Sequence, residues 1–228
     1  MGQRLMGQGL LGKGSPVELR YRWLYKPLLH LACLVPLAWC IGGALGVPHV
    51  PGLGVEPARK VLGILGHTGL NLLLCTLAIT PLRQLTGNSQ LLRLRRTLGL
   101  YAFAYVALHF TDYIGIQGFS LKAIIADIVK RPYITLGFTA LVLLVPMAVT
   151  STNGMIRRLR TRWRKIHWLI YPVAVLGTWH YWWQVKKDIR EPLLYAAILA
   201  FLLGWRIVRR QLLHRRAGLP QLGKEPQP

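Results

Sequence analysis

Six apolar runs of nearly equal length divide this chain, at about residues 27–46, 62–81, 98–117, 133–150, 166–183 and 192–208. A helix needs roughly 20 mostly apolar residues, within about 17–25, to cross a bilayer. Every run falls in that window or at its edge. In lipid only helices and closed barrels satisfy each backbone N–H and C=O, and none of these runs alternates as barrel strands do. The sequence therefore predicts an all-α, polytopic membrane protein, a bundle of six transmembrane helices. A soluble domain is about 25% charged. This chain is 16% charged and 53% hydrophobic, which leaves too little polar surface for an exterior facing water.

The charge that remains is lopsided, with 29 Lys and Arg against 7 Asp and Glu. Such an excess suits either a nucleic-acid binder or the cytoplasmic loops of a membrane protein. Placement decides between them. Both termini and the second-to-third and fourth-to-fifth connections hold 21 basic residues, and the opposite side holds 8. Basic loops stay in the cytoplasm, so both termini are predicted cytoplasmic. The basic side then faces anionic membrane lipid, and no nucleic-acid partner is expected. Residues 1–22 read as a Gly-rich cytoplasmic extension rather than a secretory signal. Residues 23–210 form one membrane domain, and residues 211–228 a flexible cytoplasmic tail.

Carboxylates avoid mid-membrane: Asp112 lies near a helix end, and the other six acids in loops, at span edges or in the tail. Cation-coupled transporters usually place one there, so a transporter is the weaker reading. Cys33, Cys40 and Cys75 lack any paired spacing and read as small hydrophobes. Histidine is the polar side chain that enters the spans. His49 and His214 fall outside them, and His30 reads as a hydrogen-bonded imidazole one turn into the first span. His67, His109, His167 and His180 remain, and an ionisable group inside the membrane is a functional candidate by default. A neutral imidazole is also a preferred haem ligand.

The stretch HWLIYPVAVLGTWHYWW, residues 167–183, carries a histidine near each end and no charge. At about 1.5 Å per residue His167 and His180 stand roughly 20 Å apart, so they cannot serve one metal ion. Depth groups His67, His109 and His180 near the outer face and leaves His167 near the inner one. Thirteen residues of regular helix would also turn His167 and His180 about 140° apart. Pro172 between them bends the helix and blurs that phase.

The segments ITPL (79–82), RRTLGLYAF…LHF (95–110), RPYITLG (131–137), TST (150–152) and IHWLIYP…WHYWWQVK (166–186) stand in an order that resembles the MsrQ (YedZ) family. These are haem-binding membrane subunits of bacterial periplasmic methionine sulfoxide reductase systems, and they belong to the ferric-reductase-like transmembrane domains. The resemblance covers about residues 23–210. It implies a bacterial inner-membrane location, one or two b-type haems, and flavin mononucleotide (FMN). It further implies electron delivery to a periplasmic molybdopterin-containing catalytic subunit that reduces methionine sulfoxide in oxidised envelope proteins. A cytoplasmic flavin reductase or the quinone pool would supply the electrons. The family's haem histidines carry over onto His109, His167 and His180, with His67 a competitor at the outer level.

Related oxidases place two histidines on each of two helices. Here the third span offers His109 alone, and Arg95 and Arg96 stand about 13 residues earlier. The soluble flavin and nicotinamide module of those relatives is missing as well. GILGHTG (63–69) has the wrong spacing for a dinucleotide loop and reads as helix packing. RRLRTRWRK (157–165) reads first as a topology signal. Its Arg158, Arg160 and Arg162 are candidates to hold flavin phosphate or dock an acidic donor. The expected role is an electron-transfer subunit without a self-contained substrate site. The alternatives are another ferric-reductase-like haem b carrier, a histidine-relay transporter, and a scaffold whose histidines only link helices.

Overall fold

The computed structural model describes residues 21–185 and 188–217. The extension up to residue 20, Lys186, Lys187 and the tail from residue 218 lie outside the described residues, as does the side chain of His214. A π-helical turn, Tyr21–Tyr25, leads into α1 (Lys26–Ala44), α2 (Pro57–Thr86) and α3 (Leu91–Ile116). Next come α4 (Leu121–Lys130), α5 (Pro132–Val149), α6 (Asn153–Leu159), α7 (Thr161–His167), α8 (Ile170–Gln184) and α9 (Arg190–Ala217). No strand occurs among the described residues.

Four segments are long and apolar enough to cross a membrane: Trp23–Ala44, Pro57–Thr86, Pro132–Val149 and Arg190–Leu213. They correspond to the first, second, fourth and sixth runs. The third run forms α3, which has 26 residues, but His109, Thr111 and Asp112 dilute its apolarity. The fifth run is not one helix. It breaks at Trp168 and Leu169, leaving 15 residues in α8. Pro172 explains the break: it has no N–H for the carbonyl of Trp168. That carbonyl takes Tyr171 N at 3.1 Å instead, and Trp168 N and Leu169 N make similar three-residue bonds back to Lys165 and Ile166.

Helices α2 and α3 form an antiparallel hairpin. It turns at Gly87, whose φ of 69° is the left-handed conformation that closes a helix, with its N–H on Arg83 O at 2.9 Å. Gly66 and Gly69 face α3, and their missing Cβ atoms let the two backbones approach. The packing role expected for GILGHTG is what the fold shows. The core joins Leu70, Leu73, Leu74 and Leu77 of α2 to Ala140 and Leu144 of α5 and to Ile170, Val173 and Ala174 of α8. Outward lie apolar side chains such as Leu31, Val35 and Phe201, each more than 60% exposed. An apolar girdle of that kind belongs in lipid, not water.

α1 docks on α3 through two tyrosines. Pro36 removes a donor from the α1 ladder, and one residue further on the hydroxyl of Tyr105 enters that ladder. It accepts from Leu37 N (3.2 Å) and donates to Cys33 O (2.6 Å). One turn away Tyr101 Oη lies 2.8 Å from His30 Nδ1, so His30 is the hydrogen-bonded imidazole expected of it. A side chain inserted beside a proline is a recognised cause of a helix bend.

Candidate functional site

His109 projects from α3 and His180 from α8. Their ring centroids are 6.2 Å apart with planes at 81°. Each ring rests on a glycine of a neighbouring helix and bonds to the carbonyl four residues before it. His109 Nδ1 donates to Leu62 O at 2.9 Å beside Gly66 of α2, and His180 Nδ1 donates to Tyr133 O at 2.6 Å beside Gly137 of α5. A carbonyl only accepts, so both rings hold their proton on Nδ1 and keep the Nε2 lone pair. That is the tautomer and support seen in metal-ligating histidines. Two imidazoles on opposite sides of one metal ion, each about 2.0–2.1 Å from it, have centroids roughly 6 Å apart. The pair fits that requirement.

Four helices therefore build the pair, and the sequence signalled only its two histidines. Gly66 and Gly137 were visible within GILGHTG and RPYITLG, but nothing in either motif showed which side chain would rest on them.

His67 comes to the same level, as its depth predicts, but turns elsewhere. Its Nδ1 donates to Gly63 O of its own helix at 2.8 Å. The ring packs edge-on against Tyr181, with centroids 4.8 Å apart, and near Tyr195. Its Nε2 is buried with no partner. Tyr181 is itself buried and donates to Glu191 at 2.7 Å, while Trp168, Trp179 and Trp183 face outward like interfacial anchors.

His167 ends α7, away from this group. Its Nδ1 donates to Trp163 O at 3.1 Å and its face stacks on Trp163 with centroids 3.9 Å apart, while Ser151 Oγ lies 3.3 Å from its Nε2 but gives its one proton to Met147 O at 2.7 Å. His167 and His180 thus lie against opposite ends of α5. The break at Trp168–Leu169 absorbs the rotation that a regular helix would impose. Beside His167 is a cavity of about 350 Å³ with Arg95, Arg96 and Arg164 in its wall. Arg158, Arg160 and Arg162, chosen from the sequence, are exposed and outside that wall. Arg95 and Arg96 drew notice in the sequence as basic loop residues standing about 13 residues before His109, and not as cavity-lining groups.

A polytopic bundle that sets paired histidines between helices is a ferric-reductase-like membrane architecture, and residues 62–178 match the model of the ferric reductase like transmembrane component. The chain is 52% identical over 190 residues to the "Protein-methionine-sulfoxide reductase heme-binding subunit MsrQ" of Xanthomonas campestris pv. campestris (strain 8004), covering 81% of this chain and 86% of that one. The protein of the same name from Rhodospirillum rubrum is 51% identical over 198 residues, 86% of this chain and 92% of its own. That of Xanthomonas axonopodis pv. citri is 48% identical over 204 residues, 86% and 93%. The chain belongs to the MsrQ family.

Proposed function

We propose that this protein is the membrane electron-transfer subunit of a periplasmic methionine sulfoxide reductase system, with His109 and His180 as axial ligands of one b-type haem. The observation that carries the reading is the 6.2 Å separation of two imidazoles whose Nδ1 atoms are both tied to backbone carbonyls. A bound haem would supply a reversible one-electron iron couple. The chain's own part is to fix both rings, exclude water with the surrounding apolar helices, and set the iron's surroundings through those carbonyl bonds.

At the inner level His167 serves either a second haem or the flavin. Its face is stacked on Trp163, and among the described residues no second histidine lines the cavity beside it, which favours a place beside the flavin. His67, turned toward Tyr181 and Tyr195, is a supporting group rather than a ligand. Electrons enter from a cytoplasmic flavin reductase or a quinol and leave toward a periplasmic molybdopterin-containing catalytic subunit. Arg158, Arg160 and Arg162 form an exposed basic edge suited to an acidic donor. The inner membrane, with both termini in the cytoplasm, follows from the basic-loop asymmetry.

The test is the visible spectrum of the purified protein. A reducible low-spin b-type signal is expected, lost in both His109→Ala and His180→Ala and kept in His67→Ala. A correctly inserted protein without colour after haem-replete expression would overturn the reading.

A further inference from the structure

Among the described residues the buried side-chain atoms without a hydrogen-bond partner are His67 Nε2, Gln90 Oε1, Asp112 Oδ2 and Thr178 Oγ1. Three of these are oxygens. His67 Nε2 is the basic one, and it lies at the level of the His109–His180 pair. Its Nδ1 is tied to Gly63 O at 2.8 Å, so the ring cannot turn to satisfy Nε2 without breaking that bond. An unpaired polar atom in the interior is costly, and such atoms call for a partner.

His67 borders both halves of the pair. Gly66, the residue before it, rests against the ring of His109. Tyr181, the residue after His180, packs its ring edge-on against His67, and its hydroxyl proton goes to Glu191 at 2.7 Å. A haem held between His109 and His180 brings its ring edge out among these residues, and that edge carries carboxylate arms. A carboxylate buried without a partner is costlier still than a neutral group. The Lys and Arg side chains described on the outer side, Arg59, Lys60, Lys122, Lys130, Arg131 and Arg190, are all exposed. Arg59 and Arg131 are also paired, with Glu56 and Asp127.

We propose that His67 holds a carboxylate arm of the outer haem, through one proton shared between Nε2 and a carboxyl oxygen. The inference rests on the reading of His109 and His180 as the iron's ligands. Gly63 O keeps the Nδ1 proton, so α2 itself orients the ring before any haem arrives. A bond between imidazole and carboxylate is charge-assisted and stronger than one between neutral groups. It also offsets negative charge close to the iron, and that favours the reduced state. His67 thus binds and tunes the cofactor without touching the metal.

Haem and its dimethyl ester are suitable probes, because they share iron and ring and differ only at the carboxylates. The full chain, expressed without a haem supply, would be titrated with each in detergent. The wild type is expected to bind haem roughly tenfold more tightly than the ester. His67→Ala should lose most of that preference and keep the low-spin spectrum. His67→Arg, whose fork suits a carboxylate, should restore it. With haem bound, the midpoint potential should fall in His67→Ala; with the ester bound, the two chains should match. Equal binding of haem and ester by the wild type overturns the proposal without any variant needing to fold. So does a preference that survives in His67→Ala. A preference lost instead in Lys60→Gln or Arg190→Gln would give the arm to the exposed rim and overturn it too. Loss of the low-spin signal in His67→Ala, with His109→Ala sparing it, would make His67 a ligand and sink both this proposal and the axial pair. A wild type that takes up neither form sinks the haem reading itself, whereas an intact low-spin spectrum without a carboxylate preference sinks this inference alone.

Discussion

Gly137 lies against the imidazole of His180 so closely that a Cβ at that position would sit 2.9 Å from Nδ1 and 3.0 Å from Cε1. Gly66 stands in the same relation to His109, at 3.0 and 3.1 Å. The missing methyl lets the ring reach the carbonyl one turn earlier, and that bond fixes the tautomer. Gly137→Ala and Gly66→Ala should therefore each displace a ring and break its Nδ1 bond, at a cost of about 1–3 kcal/mol from overpacking. The expected readout is a several-fold loss of low-spin signal per folded chain. Retention of the full spectrum by both variants would refute the idea that these glycines position the rings.

Gly69 supplies the control. A Cβ there would meet Val106 Cγ2 at 2.9 Å rather than an imidazole. Gly69→Ala should lower the unfolding temperature in detergent through the α2–α3 contact and leave the iron spectrum of the surviving protein unchanged. A spectral change as large as that of Gly66→Ala would mean that helix spacing, and not local ring contact, controls the pair.

Tyr105→Phe removes the hydroxyl that enters the α1 ladder between Leu37 N and Cys33 O. A loss of about 1–2 kcal/mol is expected, read as a lower unfolding midpoint with unchanged haem absorbance. An unaltered midpoint would show that α1 closes its own hydrogen bonds when the hydroxyl is gone.

Charge-neutral replacements at Arg158, Arg160 and Arg162 should slow reduction by a soluble cytoplasmic donor, with the effect fading at high ionic strength as screened surface charges do. Haem content should not change. Unchanged reduction rates at low salt would leave these residues with a role in topology and lipid contact only.

Reporter fusions after residues 88 and 158 should report cytoplasm, and a fusion after residue 125, within α4, the periplasm. The opposite pattern would reverse the electron direction.

Much of this was legible in the sequence because the bilayer imposes simple rules. Run length and the absence of alternation gave an all-helical membrane domain, and the basic residues gave the orientation that the reporter fusions would test. Helix depth gave the grouping of His67, His109 and His180 against His167, since depth needs only a count of residues from the membrane face. The identity of the pair, as distinct from its level, was legible only through the family resemblance. Residue count could not separate His67 from His109, because both lie at the same height. Rotation about the helix axis and packing against neighbours separate them. His67 bonds within its own helix and faces Tyr181, and His109 reaches across to Leu62 O.

The same limit governed the inner face. RRLRTRWRK stood out as a charge run, yet the arginines that line the cavity are Arg95 and Arg96 on α3 and Arg164 on α7, from segments far apart in the chain. The fifth span, expected as one helix bent at Pro172, became two helices, because Pro172 left a carbonyl without its donor. That break decided that His167 and His180 both lie against α5. Hydropathy acts locally and along the membrane normal, so the sequence by itself determined the class and the grouping of the histidines by level. Which faces meet depends on close packing among segments distant in sequence, where a single missing Cβ at Gly66 or Gly137 decides whether a ring can enter, and only the tertiary structure decided that.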